Sequence, residues 1–140
     1  MKANEFMISD WVRFAGRYSG IDGISEGGYS VHISGRWAPT FDIEPIPLTQ
    51  EILEKNGFKF DGSGQCSMMF LSEPQFAEGL RFNIYVGLKR KTIEVFAAHP
   101  IEKSQNWRKG NKVYLEVCGC YVHELQHALR LCGIEKDIVL

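Results

Sequence analysis

Cys118-Gly-Cys-Tyr-Val-His-Glu-Leu-Gln-His-Ala-Leu-Arg-Leu-Cys-Gly133 is the stretch on which the reading of this chain turns. It contains His123-Glu124-Leu125-Gln126-His127, the pattern H-E-x-x-H. On a helix this spacing sets two imidazoles one turn apart, able to grip one zinc ion, with a glutamate beside them as general base. One reading makes the chain a small metallohydrolase. The other makes the stretch a docking helix of an α+β protein.

Helical geometry favours docking. Over about Tyr121 to Cys132, the residues Val122, Leu125, Leu129 and Cys132 share one stripe of an amphipathic helix. His123 and His127 fall roughly 120–180° away from the centre of that stripe and are expected on the solvent side. A zinc site also needs a third protein ligand and an open position. The extended metzincin pattern asks for Gly at position 130 and His at 133, where this chain has Arg130 and Gly133. Glu135 follows the helix too closely to reach back about two turns. His99 and Cys118 are upstream candidates without a supporting pattern. A cluster of Cys118, Cys120, His123 and His127 has the spacing of no zinc finger. No catalytic residue, metal ligand or cofactor is therefore assigned, although His123 and His127 as ligands with Glu124 as base remain the alternative.

The rest of the chain sets the frame. It has 140 residues, 44% hydrophobic and 24% charged, the balance of a foldable chain of one ordinary domain or two small ones. The net charge is −1, so no global field attracts nucleic acid or an anionic membrane. No apolar run approaches the ~20 residues of a membrane span, and the polar start Met1–Phe6 does not read as a signal peptide. The four cysteines, Cys66, Cys118, Cys120 and Cys132, read as reduced thiols. The expected location is the cytoplasm, with an unidentified protein as a candidate partner and no membrane.

Residues 1–47 read as short strands between glycine turns. A first strand is expected over Phe6–Phe14, a half-buried one over Tyr29–Ser34, and another over Arg36–Phe41 with Pro39 at an edge. The expectation is an SH3-like β-barrel module. Residues 48–140 read as a second, α+β module. Thr49 N-caps a helix over Gln50–Asn56, Leu48 and Leu53 form a hydrophobic staple, and Gly57 ends it with Phe58 packing back. An antiparallel sheet follows, with strands over Cys66–Leu71, Leu80–Val86, Thr92–Ala97 and Lys112–Cys118, and the terminal helix packs on it. The two modules are expected to pack as one compact unit, because 47 residues alone build a marginal core.

Three stretches together resemble a group of small uncharacterised proteins from gut Bacteroidetes and their phages and conjugative elements. They are Phe6-Met-Ile-Ser-Asp-Trp-Val12, Ile43-Glu-Pro-Ile-Pro-Leu-Thr-Gln-Glu-Ile-Leu-Glu-Lys-Asn-Gly-Phe58, and Tyr121-Val-His-Glu-Leu-Gln-His-Ala-Leu129 with its continuation to Gly133. The group's pattern commonly carries Gln and Asn in place of Glu124 and His127. The resemblance thus implies that H-E-x-x-H arose here within a docking motif, and it brings no activity with it. The expected function is a non-enzymatic binding or adaptor protein of a phage or mobile element. A further alternative is nucleic-acid binding through the basic loops of residues 89–112, with Lys89, Arg90, Lys91, Lys103, Trp107, Arg108, Lys109 and Lys112.

Overall fold

A computed structural model describes residues 6–60, 68–74, 81–98, 111–117, 119–134 and 136–140. It shows a mixed α+β chain with two antiparallel sheets and a helix packed between them.

The first sheet comprises β1 (Trp11–Phe14), β2 (Arg17–Ile24), β3 (Ser30–Ile33), β4 (Arg36–Pro39) and β5 (Glu44–Pro45), in the order β4-β3-β2-β1-β5. Strand β2 changes partners along its length. Its first half pairs with β1, Trp11 opposite Gly20, and its second half pairs with β3, with a register break between Ile21 and Gly23. Such a break bends the strand and strengthens its twist. The sheet curls around Phe6, Val12, Ile21, Val31, Ile33, Ala38 and Ile43. It does not close, since among the described residues no ladder joins β4 to β5. The closed SH3-like barrel expected from the glycine spacing is therefore not formed. A 3-10 turn over Thr40–Asp42 separates the two edge strands instead.

Two local expectations also shift. The first strand begins at Trp11 rather than Phe6, because Met7–Asp10 forms a tight turn, with Asp10 N–H bonded to Met7 O at 3.1 Å and Ser9 at φ 75°. Tyr29 is exposed rather than paired with Val31 and Ile33, because it caps a 3-10 turn in αR conformation ahead of β3.

The connector then behaves as its residues dictate. In α1 (Gln50–Lys55), Thr49 Oγ1 accepts from Ile52 N–H at 3.2 Å. Leu48 and Leu53 are buried together, Gly57 takes φ 90°, and Phe58 folds back with its N–H on Leu53 O at 3.0 Å. Asn56 has a second role that the sequence did not declare. Its amide donates to Val139 O and its carbonyl accepts from Val139 N–H, both at 2.8 Å, clamping the C-terminal segment onto α1.

The second sheet is a meander of β6 (Lys59–Phe60), β7 (Met68–Pro74), β8 (Arg81–Gly87), β9 (Thr92–Ala98) and β10 (Asn111–Val117), in the order β10-β9-β8-β7-β6. Ile84, Val86, Ile93 and Val95 present one face to α1 and to α2 (Val122–Leu131). Val122, Leu125, Ala128 and Leu129 of α2 complete that core, with Cys132 half-buried at its margin. The predicted docking stripe is thus the face that packs on the second sheet.

Replacing Asn56 by Ala removes the clamp while leaving Leu53 and Phe58 in place. The expected result is a loss of about 1–3 kcal/mol in urea unfolding, with faster amide exchange confined to residues 134–140 and the end of α1. Unchanged exchange at Val139 would contradict the clamp.

Candidate functional site: the second face of the terminal helix and the adjoining groove

The start of α2 is built by three independent restraints. Leu48 N–H bonds Cys120 O and Val122 N–H bonds Ile46 O, both at 2.8 Å, so the Pro-rich connector pairs with the helix's lead-in. Cys120 turns the chain at φ 58°. Glu124 then reaches back and accepts from the N–H of Tyr121 through Oε1 and of Gly119 through Oε2, each at 3.1 Å. This is the glutamate half of a capping box, and it places a negative charge in the helix's first turn. Gly119 allows it, because a Cβ there would run into the Tyr121 ring and the Glu124 carboxylate.

The histidine face is covered rather than left to solvent, with His123 buried and His127 half-buried, which corrects the expectation of two surface histidines. His123 is 3% exposed and lies stacked against Tyr121 and tilted against Phe6, with ring centroids 5.8 and 5.4 Å away. His127 stands edge-on to His123 at 5.5 Å. The cover is the segment leading into β1. Its docking relies on contacts spanning more than a hundred residues of sequence, which no local periodicity encodes.

Asp10 is the centre of that contact. Its side chain is fully buried, and its carboxylate accepts from three donors: Met7 N–H at 2.7 Å, His127 Nε2 at 2.7 Å and Arg130 Nη1 at 2.8 Å. A buried carboxylate is tolerable only when its lone pairs are met and its charge is balanced, and Arg130 supplies the balance. The Asp10 bond assigns the Nε2 proton to His127. Beside it, Gln126 acts as a surrogate strand, accepting from Trp11 N–H at 2.8 Å and donating to Ser9 O at 3.1 Å. Asp10, Gln126 and Arg130 were not singled out from the sequence. The available signal was an aspartate inside an otherwise apolar stretch, a residue type depleted in strands.

The other sequence candidates divide. Among the described residues, no three His, Cys, Asp or Glu side chains are arranged to hold a metal ion. Cys120 is buried with Sγ 3.6 Å from Gly87 O, whereas Cys66, His99, Cys118 and Glu135 lie outside the described residues. Lys89, Arg90 and Lys91 are exposed at the β8–β9 hairpin tip. Lys103, Trp107, Arg108 and Lys109 lie outside the described residues, and so does the Lys112 side chain. Among the described residues, no helix is long and apolar enough to cross a membrane.

A groove of about 1420 Å³ runs beside the Asp10 contact, between the outer face of β1–β2 and the segment after α2. Trp11, Tyr18, Gly20 and Asp22 line one wall, and Arg130 and Asp137 line the other. At its rim, His32 Nδ1 is bonded to Asp22 Oδ1, and the Trp37 ring meets His32 edge-on at 5.2 Å. Sequence reading gave His32 no role. No known protein family, curated protein or solved structure matches the chain.

Burial pushes the Cys132 thiol above its ordinary pKa. Its alkylation, followed residue by residue by mass spectrometry, should therefore need higher pH than that of free cysteine. Asp10→Ala should destabilise the protein by about 3–5 kcal/mol, because it strands Arg130 and His127. Glu124→Ala should cost only about 1 kcal/mol, the value of a helix cap. Comparable losses from both variants in urea unfolding would contradict this division of roles.

Proposed function

We propose that the protein is a non-enzymatic binding or adaptor protein whose partner lies in the groove between the N-terminal sheet and the C-terminal segment. The observation that carries this reading is the use made of Glu124. In a zinc hydrolase the glutamate of H-E-x-x-H must hold a proton of the metal-bound water. Here both of its oxygens accept backbone N–H groups at the start of α2. His127 is likewise held by Asp10, which also carries the charge of Arg130. The motif's polar groups serve helix capping and sheet-to-helix docking. The groove is open, mixed in polarity and flanked by aromatic rings, which suits recognition. The connector and terminal-helix resemblance supports placing the protein among small proteins of phages and mobile elements of gut Bacteroidetes. Among the described residues Cys120 and Cys132 form no disulfide, in keeping with a cytoplasmic location.

A small zinc-dependent metallohydrolase is the second reading, favoured by the edge-on proximity of buried His123 and half-buried His127 on one helix face. Elemental analysis after equilibration with zinc and dialysis separates the two. The expected result is no stoichiometric zinc and no peptidase activity, with His127→Ala lowering stability alone. One zinc per chain that disappears in His127→Ala, together with hydrolysis abolished in Glu124→Gln, would overturn the adaptor reading. A salt-dependent shift of mixed oligonucleotides would instead favour nucleic-acid binding through the 89–112 loops.

A further inference from the structure

The groove wall formed by β2 contains a glycine that the fold does not require. Gly20 sits mid-strand opposite Trp11, outside the left-handed region, and a Cβ built there meets nothing within 4 Å. Glycine weakens a strand interior and often marks a place where another group approaches closely. Alternate residues of a strand share a face, so Tyr18 and Gly20 point the same way about 6–7 Å apart, and Asp22, the unpaired residue at the register break, lines the same groove. The result is a slot floored by Gly20, with a phenol ring on one side and a carboxylate on the other. The Trp11 indole stands across the ladder.

The groups around the slot are prepared for contact. Tyr18 is 55% exposed and the Asp22 side chain 61% exposed. Asp22 Oδ1 accepts from His32 Nδ1, which fixes the carboxylate's orientation. The Trp37 ring passes over Gly23, whose Cβ would lie 3.5 Å from it. Among the described lining residues the charge leans negative: Asp22 and Asp137 stand against Lys136, while Arg130 is offset by the buried Asp10. Aromatic faces beside a carboxylate attract a cation whose alkyl stem packs on the rings. The volume exceeds the roughly 300–1000 Å³ of a small-molecule site, and the groove is partly open to solvent.

Resting on the reading of the protein as a binding protein, we infer that the groove takes an extended basic peptide. One lysine or arginine side chain enters the Gly20 slot between Tyr18 and Asp22. The stem lies on the Tyr18 and Trp11 rings, and the charged head meets Asp22.

The test uses the full chain and four acetylated, amidated nonapeptides of Ala, Gly and Pro with Arg, Lys, Glu or Leu at the centre. Arginine amide is a fifth arm. Binding is read from the amide resonances of residues 18–22 and 136–140 and from the Trp11 indole resonance. The Arg and Lys peptides are expected to shift these signals saturably below roughly 1–5 mM, more tightly than arginine amide. Raising salt from about 0.05 to 0.5 M should weaken them. Asp22→Asn is expected to weaken binding about ten-fold, the loss of one charge-assisted contact. Gly20→Val, which adds a strand-favouring side chain in open space, should abolish binding with the unbound spectrum otherwise unchanged. Should Gly20→Val fail to fold, Gly20→Ser serves in its place. Equal binding of the Leu peptide overturns the cationic specificity, and preferential binding of the Glu peptide overturns the charge assignment. Silence from all five probes overturns the groove as a basic-peptide site while leaving the zinc measurement, and with it the adaptor reading, untouched.

Discussion

The contact between Asp10 and the second face of α2 organises the molecule. A carboxylate removed from water is stable only with its charge matched and its oxygens bonded, and Arg130, His127 and Met7 N–H meet those demands together. Their geometry fixes the turn ahead of β1, the rotation of α2 about its axis and the distance between the two sheets. Gln126 adds register by bonding the backbone of Ser9 and Trp11. With α2 apolar toward the second sheet and polar toward the first, the helix joins two cores that touch few of the same residues. Trp11, which belongs to β1 yet packs against the larger core, is one of the links.

This arrangement explains why a five-residue pattern associated with zinc chemistry can be put to a different use. H-E-x-x-H specifies one helix face and one charge in the first turn, and those are requirements of docking as well as of catalysis. The glutamate occupies the N3 position of a cap, where backbone N–H groups lack intrahelical partners. The histidines face a segment rather than a cleft. What distinguishes the two uses is the environment supplied from elsewhere in the chain.

The groove follows from the same contact. Bringing β1 against α2 leaves the outer face of β2 opposite the segment after α2, and the Asn56 clamp holds that segment in place. The walls of the groove come from both ends of the sequence. That is why His32 reads from the sequence as featureless and Asp22-Gly23 reads as a turn, whereas both residues of that pair lie within β2. Their significance lies in a carboxylate–imidazole bond across a bulged ladder and a tryptophan laid over Gly23.

Local physics settled much of the chain from its sequence. Thr49, Leu48, Leu53, Gly57 and Phe58 define α1 through capping and staple rules that act within a few residues. The alternation of Phe82, Ile84 and Val86 with Asn83 and Tyr85 defines a strand. Val122, Leu125 and Leu129 define the core face of α2 by helical period alone. Tertiary structure alone decided the rest. The openness of the first sheet depends on where two edge strands end in space. The covering of His123 and His127 depends on a segment more than a hundred residues away, and the partner of Arg130 is an aspartate that local pattern assigns to a strand. Periodicity names the face of a helix that must be covered, but only the folded chain says what covers the other.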